Sequence, residues 1–270
     1  MKSPYLAGAS LVLIALAACR AIPAPSNGVL ALSAVLLPSP SVVLGDTLRD
    51  STGHAARLTL VAFGLGGDKD TIRSVTPSYV ILDRGAHVTG DGYVIGDSVR
   101  ATPVRIVGTV GTLQTAATNL DVTPRPDSLA SAVTPPIAPI KFNILDSTAQ
   151  ANYSVGIAAT VVSTSILPAA TVKSVIVRYA LAGQPRGVNG AATGVLVDES
   201  GKASLVDTTD ASGQVSRRIR VRPAALAAPG ATDSFVVVVS AQYRGVALRG
   251  SPQRFVIPVQ PGSATPTRIP

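Results

Sequence analysis

The feature that most constrains this chain is a two-residue apolar period that restarts again and again between turn residues. Tyr153, Val155, Ile157, Ala159 and Val161 would share one face of an extended segment, with Asn152, Ser154, Gly156 and Thr160 opposite. Val175, Val177, Tyr179 and Leu181 repeat the device, and Ala116, Thr118, Leu120 and Val122 do so with Thr115, Asn119 and Asp121 on the reverse. Side chains alternate across a strand, so this spacing builds a sheet with one dry face and excludes an amphipathic helix. Shorter strands are expected at 57–62, 79–82, 93–95 and 255–259, and the run 235–239, apolar on both faces, reads as a central strand. Turn signals recur at roughly 8–12 residues, the rhythm of a β-sandwich. The expected fold class is all-β, with two antiparallel β-sandwich domains in tandem.

Composition narrows how such sandwiches are held together. Trp is absent and aromatics make up 4% of the 270 residues, so the cores must be built from Val, Ile, Leu and Ala. One cysteine rules out an intramolecular disulfide and any zinc or iron–sulfur site built on thiolates. Each domain therefore rests on its apolar core, which domains of about 100–150 residues can do.

The single cysteine, Cys19, sits at an informative place. Lys2 precedes an apolar run over 6–18, the layout of a secretory signal peptide. Thirteen helical residues at about 1.5 Å each reach roughly 20 Å, short of a hydrocarbon core of about 30 Å. No other stretch has 18 consecutive apolar residues. Leu16-Ala17-Ala18-Cys19 resembles the lipobox of bacterial lipoproteins. The resemblance implies a cut before Cys19 and acylation of its sulfur by several chains, which together anchor stably where one does not. Ordinary cleavage with an unmodified Cys19 is the competing reading. Arg20 is not the Asp that the resemblance associates with inner-membrane retention, which favours the outer membrane. The chain is thus expected to be exported and lipid-anchored to the cell envelope.

On this reading residues 1–18 are a signal peptide and 19–39, with Pro23, Pro25 and Pro38, are a tether from the lipidated cysteine. Part of 29–37 is apolar enough to pair as a first strand. A first sandwich follows over 40–123, a Pro-rich linker over 124–139 with Pro124, Pro126, Pro135, Pro136 and Pro139, a second sandwich over 140–260 and a disordered tail over 261–270.

Within the first sandwich, Gly45-Asp46-Thr47 with Gly53, the run from Val88 through Gly90-Asp91-Gly92 to Gly96, and Leu120-Asp121-Val122-Thr123 resemble the bacterial Ig-like domains of group 2. The family places a Trp near Ser74-Val75-Thr76, and this chain has none. In the second sandwich, Asp207-Thr208-Thr209-Asp210 through Gly213 to Val215 loosely resembles the invasin-type group 1 domains. Both resemblances imply Ig-like architecture and a non-catalytic module of adhesion or binding.

Candidate chemistry is sparse. His54 and His87 are the only imidazoles, and neither has a partner at metal-ligand spacing. No Gly-x-Ser-x-Gly elbow or βαβ pattern is present to hold a catalytic triad. The stretch from Gly64 to Asp70 lacks the Gly-Lys-Ser/Thr ending of a phosphate loop and the closing Glu of a calcium loop, and reads as a solvated loop. Asp207 and Asp210 are turn caps or contributors to a weak calcium site. No cofactor, metal or catalytic residue is expected.

The densest charge is Arg217, Arg218, Arg220 and Arg222. On a strand Arg218, Arg220 and Arg222 line the face opposite Val215, Ile219 and Val221, while Arg217 falls on the apolar side, which points to a bulge or an edge there. The stripe is either a solvated face or a contact for an anionic glycan, lipid headgroup or acidic protein. The net charge of +8, or +7 once Lys2 leaves with the signal, suits such envelope partners, and nothing here reads nucleic acid. Three functions follow: a membrane-anchored module binding an unidentified protein or glycan, a purely structural spacer or assembly subunit, and, remotely, a hydrolase.

Overall fold

The computed structural model describes residues 29–64, 69–71, 76–143, 146, 148–165, 168–227 and 233–261. The expected signal peptide, Cys19, residues 65–68 of the expected loop 64–70 and residues 262–270 lie outside them, while Gly64, Lys69 and Asp70 of that loop are strand residues, with Asp70 and Lys69 paired to Ala62 and Phe63.

The fold is all-β, in two Ig-like antiparallel sandwiches. The first comprises β1 (Val29–Leu36), β2 (Ser41–Val43), β3 (Thr59–Gly64), β4 (Lys69–Thr71), β5 (Ser78–Ile81), β6 (Ala86–Val88), β7 (Val94–Gly96), β8 (Val104–Val110), β9 (Leu113–Gln114) and β10 (Thr118–Thr123). One sheet has the order β1-β3-β4, the other β2-β10-β8-β5 with β9 on β8, and β6 and β7 pair as a ribbon. Val35 and Leu60 from one sheet and Ile106, Val110, Leu120 and Val122 from the other join one core. A Cβ at Gly108 would lie 2.5 Å from Leu60 Cδ1, so glycine lets the sheets close there.

The second sandwich comprises β11 (Ser128–Ser131), β12 (Ile140–Phe142), β13 (Ile157–Ser163), β14 (Ala170–Thr171), β15 (Ile176–Gly183), β16 (Gly194–Val197), β17 (Val206–Thr208), β18 (Gln214–Val221), β19 (Ser234–Tyr243), β20 (Val246–Ala247) and β21 (Gln253–Pro261). Its sheets have the orders β11-β13-β18-β16 and β12-β21-β19-β15-β17, with β14 on β13 and β20 on β19. Phe142 and Phe235 are fully buried in a core otherwise rich in Val and Ile. The run 235–239 lies in β19, an interior strand between β15 and β21.

Both sandwiches begin with the same manoeuvre. β1 pairs antiparallel with β3, the chain passes Pro38 and Pro40, and β2 then runs parallel to β10 in the opposite sheet. β11 pairs antiparallel with β13, the chain passes Pro135, Pro136 and Pro139, and β12 runs parallel to β21. This sheet switch by the opening strand, with the Greek-key order of the rest, is the Ig-like arrangement. Proline has no N–H for a ladder, so it fits where the chain leaves one sheet for the other.

The crossovers move the expected boundaries. Residues 29–36 are strand rather than tether, because Val29 and Val35 are buried against the sandwich. Residues 128–131 belong to the second sandwich rather than a linker, and Leu129 and Ile137 join its core. The connection reduces to the few residues after Thr123, since Asp127 already bonds Val162 O at 3.1 Å through its N–H. The strand expected from 152 starts at Ile157. Asn152 instead closes a 3-10 turn, accepting from Asn143 N at 2.7 Å and donating to Asp146 O at 2.7 Å.

Candidate functional site

Two turns, one from each sandwich, face each other. In the first, Asp50 Oδ1 accepts from Thr52 N at 2.8 Å and His54 N at 3.0 Å, an Asx-type cap that folds residues 50–54 into a tight loop. Gly53 closes it at φ +92°, a left-handed value that glycine adopts freely. In the second, Arg244 (φ +53°) and Gly245 (φ +74°) make the two-residue turn between β19 and β20, where Tyr243 pairs with Val246. The approach is close: a Cβ on Gly53 would fall 2.4 Å from Gly245 N.

Asp46 joins the two sandwiches. Its carboxylate, 5% exposed, accepts from Arg49 Nε at 2.8 Å and Nη2 at 2.9 Å, and from Thr47 N at 2.8 Å. From the second sandwich it accepts from Arg244 Nε at 3.0 Å and Nη2 at 2.6 Å, and from the Tyr243 hydroxyl. Two guanidinium forks on one carboxylate give charge-assisted bonds with fixed geometry. Burial alone would push the Asp46 carboxyl up, but the bonds from Arg49, Arg244 and Tyr243 outweigh it and hold it well below the usual carboxylate range. Burial, then its bond to Asp46, pushes the Tyr243 phenol up to about 12. Arg125, on the connection, stacks over the same Tyr243 ring at 5.4 Å.

Further contacts cross between the sandwiches. Lys173 Nζ lies 2.6 Å from Asp121 Oδ1, Ser174 Oγ donates to Asp121 Oδ2 at 2.5 Å, and Ser41 Oγ donates to Ser174 O at 2.7 Å. Arg178 Nη2 donates to Ser51 O at 3.1 Å. Between these contacts and the Asp46 node lies a cleft of about 280 Å³, walled by both sandwiches. Clefts between domains are favoured places for ligands.

The sequence-derived candidates fall elsewhere. Arg218 and Arg220 line the outer side of β18, Arg222 lies just past its end at the start of a 3-10 turn rather than on the strand, and among the described residues no carboxylate pairs with the three. Arg218 stacks on Tyr153 at 4.9 Å and donates from Nε to Ser154 O at 3.0 Å. Arg217 departs from expectation: β18 is an interior strand, and its pairing with β13 and β16 runs without a bulge. The side chain, 8% exposed, turns inward because Asp207 meets Nη1 at 2.7 Å and the Val206 carbonyl accepts from Nη2. Its guanidinium also lies 5.9 Å from the ring of buried Tyr179.

Asp207 is occupied by Arg217 and by the N–H groups of Thr208 and Ser216, and Asp210 caps its turn through Ser212 and Gln214 N–H. His87 pairs with Asp97 at 2.8 Å and His54 with the Thr52 hydroxyl at 2.9 Å, both exposed. Among the described residues no group of three or more His, Cys, Asp or Glu could hold a metal. The Asp46 node escaped sequence reasoning because its members are up to 198 positions apart. The one local signal was Gly45-Asp46-Thr47, legible as a family motif but silent about Arg244.

The strand order and the interlocked turns define a tandem Ig-like β-sandwich protein. No family model matches the sequence, and no curated protein matches it. Among solved structures, the chain is similar to the Yersinia pseudotuberculosis adhesin InvE at 13% identity and a TM-score of 0.33, over 86% of this chain and 61% of that one. The Escherichia coli adhesin FdeC matches at 16% identity and 0.31, over 84% and 63%. Domains 4–9 of the surface layer protein SbsC match at 13% and 0.27, over 86% and 31%. The chain spans less than two thirds of each of these structures. At such scores the fold assignment rests on the strand order itself.

Proposed function

We propose that this chain is a non-catalytic binding module of the bacterial cell envelope, anchored through acylated Cys19 and belonging to the bacterial Ig-like domains. The carrying observation is the Asp46 node. It joins the two sandwiches by a buried carboxylate and two guanidinium groups, so the pair presents its surfaces as one body. A rigid pair holds loops and faces at a set distance from an anchor, which suits adhesion to a protein or glycan. The lipobox-like Leu16-Ala17-Ala18-Cys19 supports the anchor, and Arg20 favours the outer membrane. Arg218, Arg220 and Arg222, without acidic partners among the described residues, are the proposed contact for an anionic partner.

A structural spacer is the second reading, favoured by the same rigid joint. One measurement tests the anchor and a second separates the two readings. Replacing Cys19→Ser should shift the protein from the membrane to the soluble fraction or leave the signal uncleaved; unaltered processing and partition sink the anchor. Arg218→Ala, Arg220→Ala and Arg222→Ala together should weaken binding to purified envelope fractions. Unchanged binding leaves the spacer.

A further inference from the structure

The cleft between the sandwiches has chemistry of its own, separate from the arginine face on β18. Its lining holds three guanidinium groups, from Arg49, Arg178 and Arg244, against two carboxylates, Asp46 and Asp50. Asp46 pairs with Arg49 and Arg244 through two donors of each, and Asp50 is bound by its own loop. Arg178 is different. It is exposed, donates one bond to Ser51 O, and retains most of its five donors. The cleft therefore carries an excess of one positive charge, and Arg178 is the guanidinium in its lining that pairs with no carboxylate among the described residues.

The rest of the wall is more apolar than polar. The Ser39 and Ser240 hydroxyls have no protein partner among the described residues, and Gln242 spends only one long bond, 3.5 Å, on Ser51 O. Val43, Ile176, Ala247 and Pro252 supply accessible aliphatic surface between them. A volume of about 280 Å³ is near the lower end of ligand pockets, too small for an extended peptide or an acyl chain. Spaced hydroxyl and amide groups suit ring hydroxyls, aliphatic patches suit ring C–H faces, and one guanidinium suits one carboxylate.

We propose that this cleft binds an acidic saccharide unit, a hydroxyl-rich ring bearing one carboxylate, with Arg178 as the carboxylate contact. The proposal deepens the binding-module reading and rests on it for the supply of such a ligand. The test uses the purified full chain in detergent, titrated calorimetrically with glucuronate, glucose and inorganic phosphate. Glucuronate should bind more tightly than glucose. Arg178→Ala should weaken glucuronate by about tenfold or more, the loss of one charge-assisted contact, and leave glucose unchanged. Ser240→Phe, which fills the cleft, should abolish both, and unchanged melting temperatures would show that neither variant acts by unfolding. Equal binding of glucuronate and glucose, or no binding of either, overturns the proposal. Phosphate binding as tightly as glucuronate overturns the saccharide assignment in favour of a simple anion site. Because the titration uses neither membranes nor the β18 arginines, its failure leaves the envelope-binding reading standing, and failure of that reading leaves this result interpretable.

Discussion

The contact between Gly53 and the Arg244–Gly245 turn yields the sharpest prediction. Gly53→Ala would place a Cβ 2.4 Å from Gly245 N and 2.9 Å from Arg244 C, where ordinary contact begins at 3.4 Å. The obstructing atoms are backbone in a two-residue turn and cannot swing aside as a side chain would. The sandwiches must therefore separate by about 1 Å, the difference between 2.4 and 3.4 Å. That opening stretches the 2.6 Å bond from Arg244 Nη2 to Asp46 to about 3.6 Å, beyond hydrogen-bond range. Alanine at a left-handed φ also costs about 1–2 kcal/mol, and Gly45→Ala isolates this term. Gly45 has φ +70° with nothing within 4 Å of an added Cβ. Residual dipolar couplings on the full chain report the relative orientation of the sandwiches, and thermal unfolding reports stability. Gly45→Ala should lose about 1–2 kcal/mol with the orientation kept. Gly53→Ala should lose at least as much and change the orientation. If both variants keep the wild-type orientation, the turns do not hold the sandwiches together and the reasoning is refuted.

Three other outcomes are expected. Phe235→Ala, at a fully buried site in the second core, should cost about 3–5 kcal/mol in denaturant unfolding, and a loss near zero would show that the core repacks freely. Asp207→Ala leaves the Arg217 guanidinium buried without a carboxylate and should cost about 3 kcal/mol; adding Arg217→Met should recover most of it, and no recovery would mean the cost lies elsewhere. Acid should weaken the fold through two carboxylates. Hydrogen bonds from Arg105 hold Asp83 down at about 2, and Asp46 lies lower still, so both bind protons less well folded than unfolded. Their stabilisation is complete above the unfolded value of about 3.9 and is lost on acidification, that of Asp83 as pH falls through about 2 and that of Asp46 below it. Melting temperature followed from pH 4 downward should fall less steeply in Asp83→Asn; an identical slope would show that the Arg105 pair does not matter.

Much of the fold was legible because strands write a period of two into the chain. The faces at Ile157, Ala159 and Val161, at Val177 and Tyr179, and at Leu120 and Val122 are buried as their spacing requires. The boundaries were harder, because proline clusters read alike whether they separate domains or carry a strand between sheets. Pro38 with Pro40, and Pro135 with Pro136 and Pro139, do the second, and only the burial of Val35, Leu129 and Ile140 reveals it. Arg217 misled for a related reason. An arginine on the apolar side of a strand is costly unless something neutralises it, and its partner Asp207 belongs to a strand of the other sheet.

The sequence by itself determined the all-β class, the core faces and the outward placement of Arg218 and Arg220, since these depend on spacing within single strands. Only the tertiary structure decided that the two sandwiches lock together through Asp46, and that a charged cleft lies between them. Arg49 is three residues from Asp46, but Tyr243 and Arg244 are 197 and 198 away. Neither spacing nor composition pairs a carboxylate with a cation across such a distance. The pairing comes from the turns that bring Gly53 against Gly245.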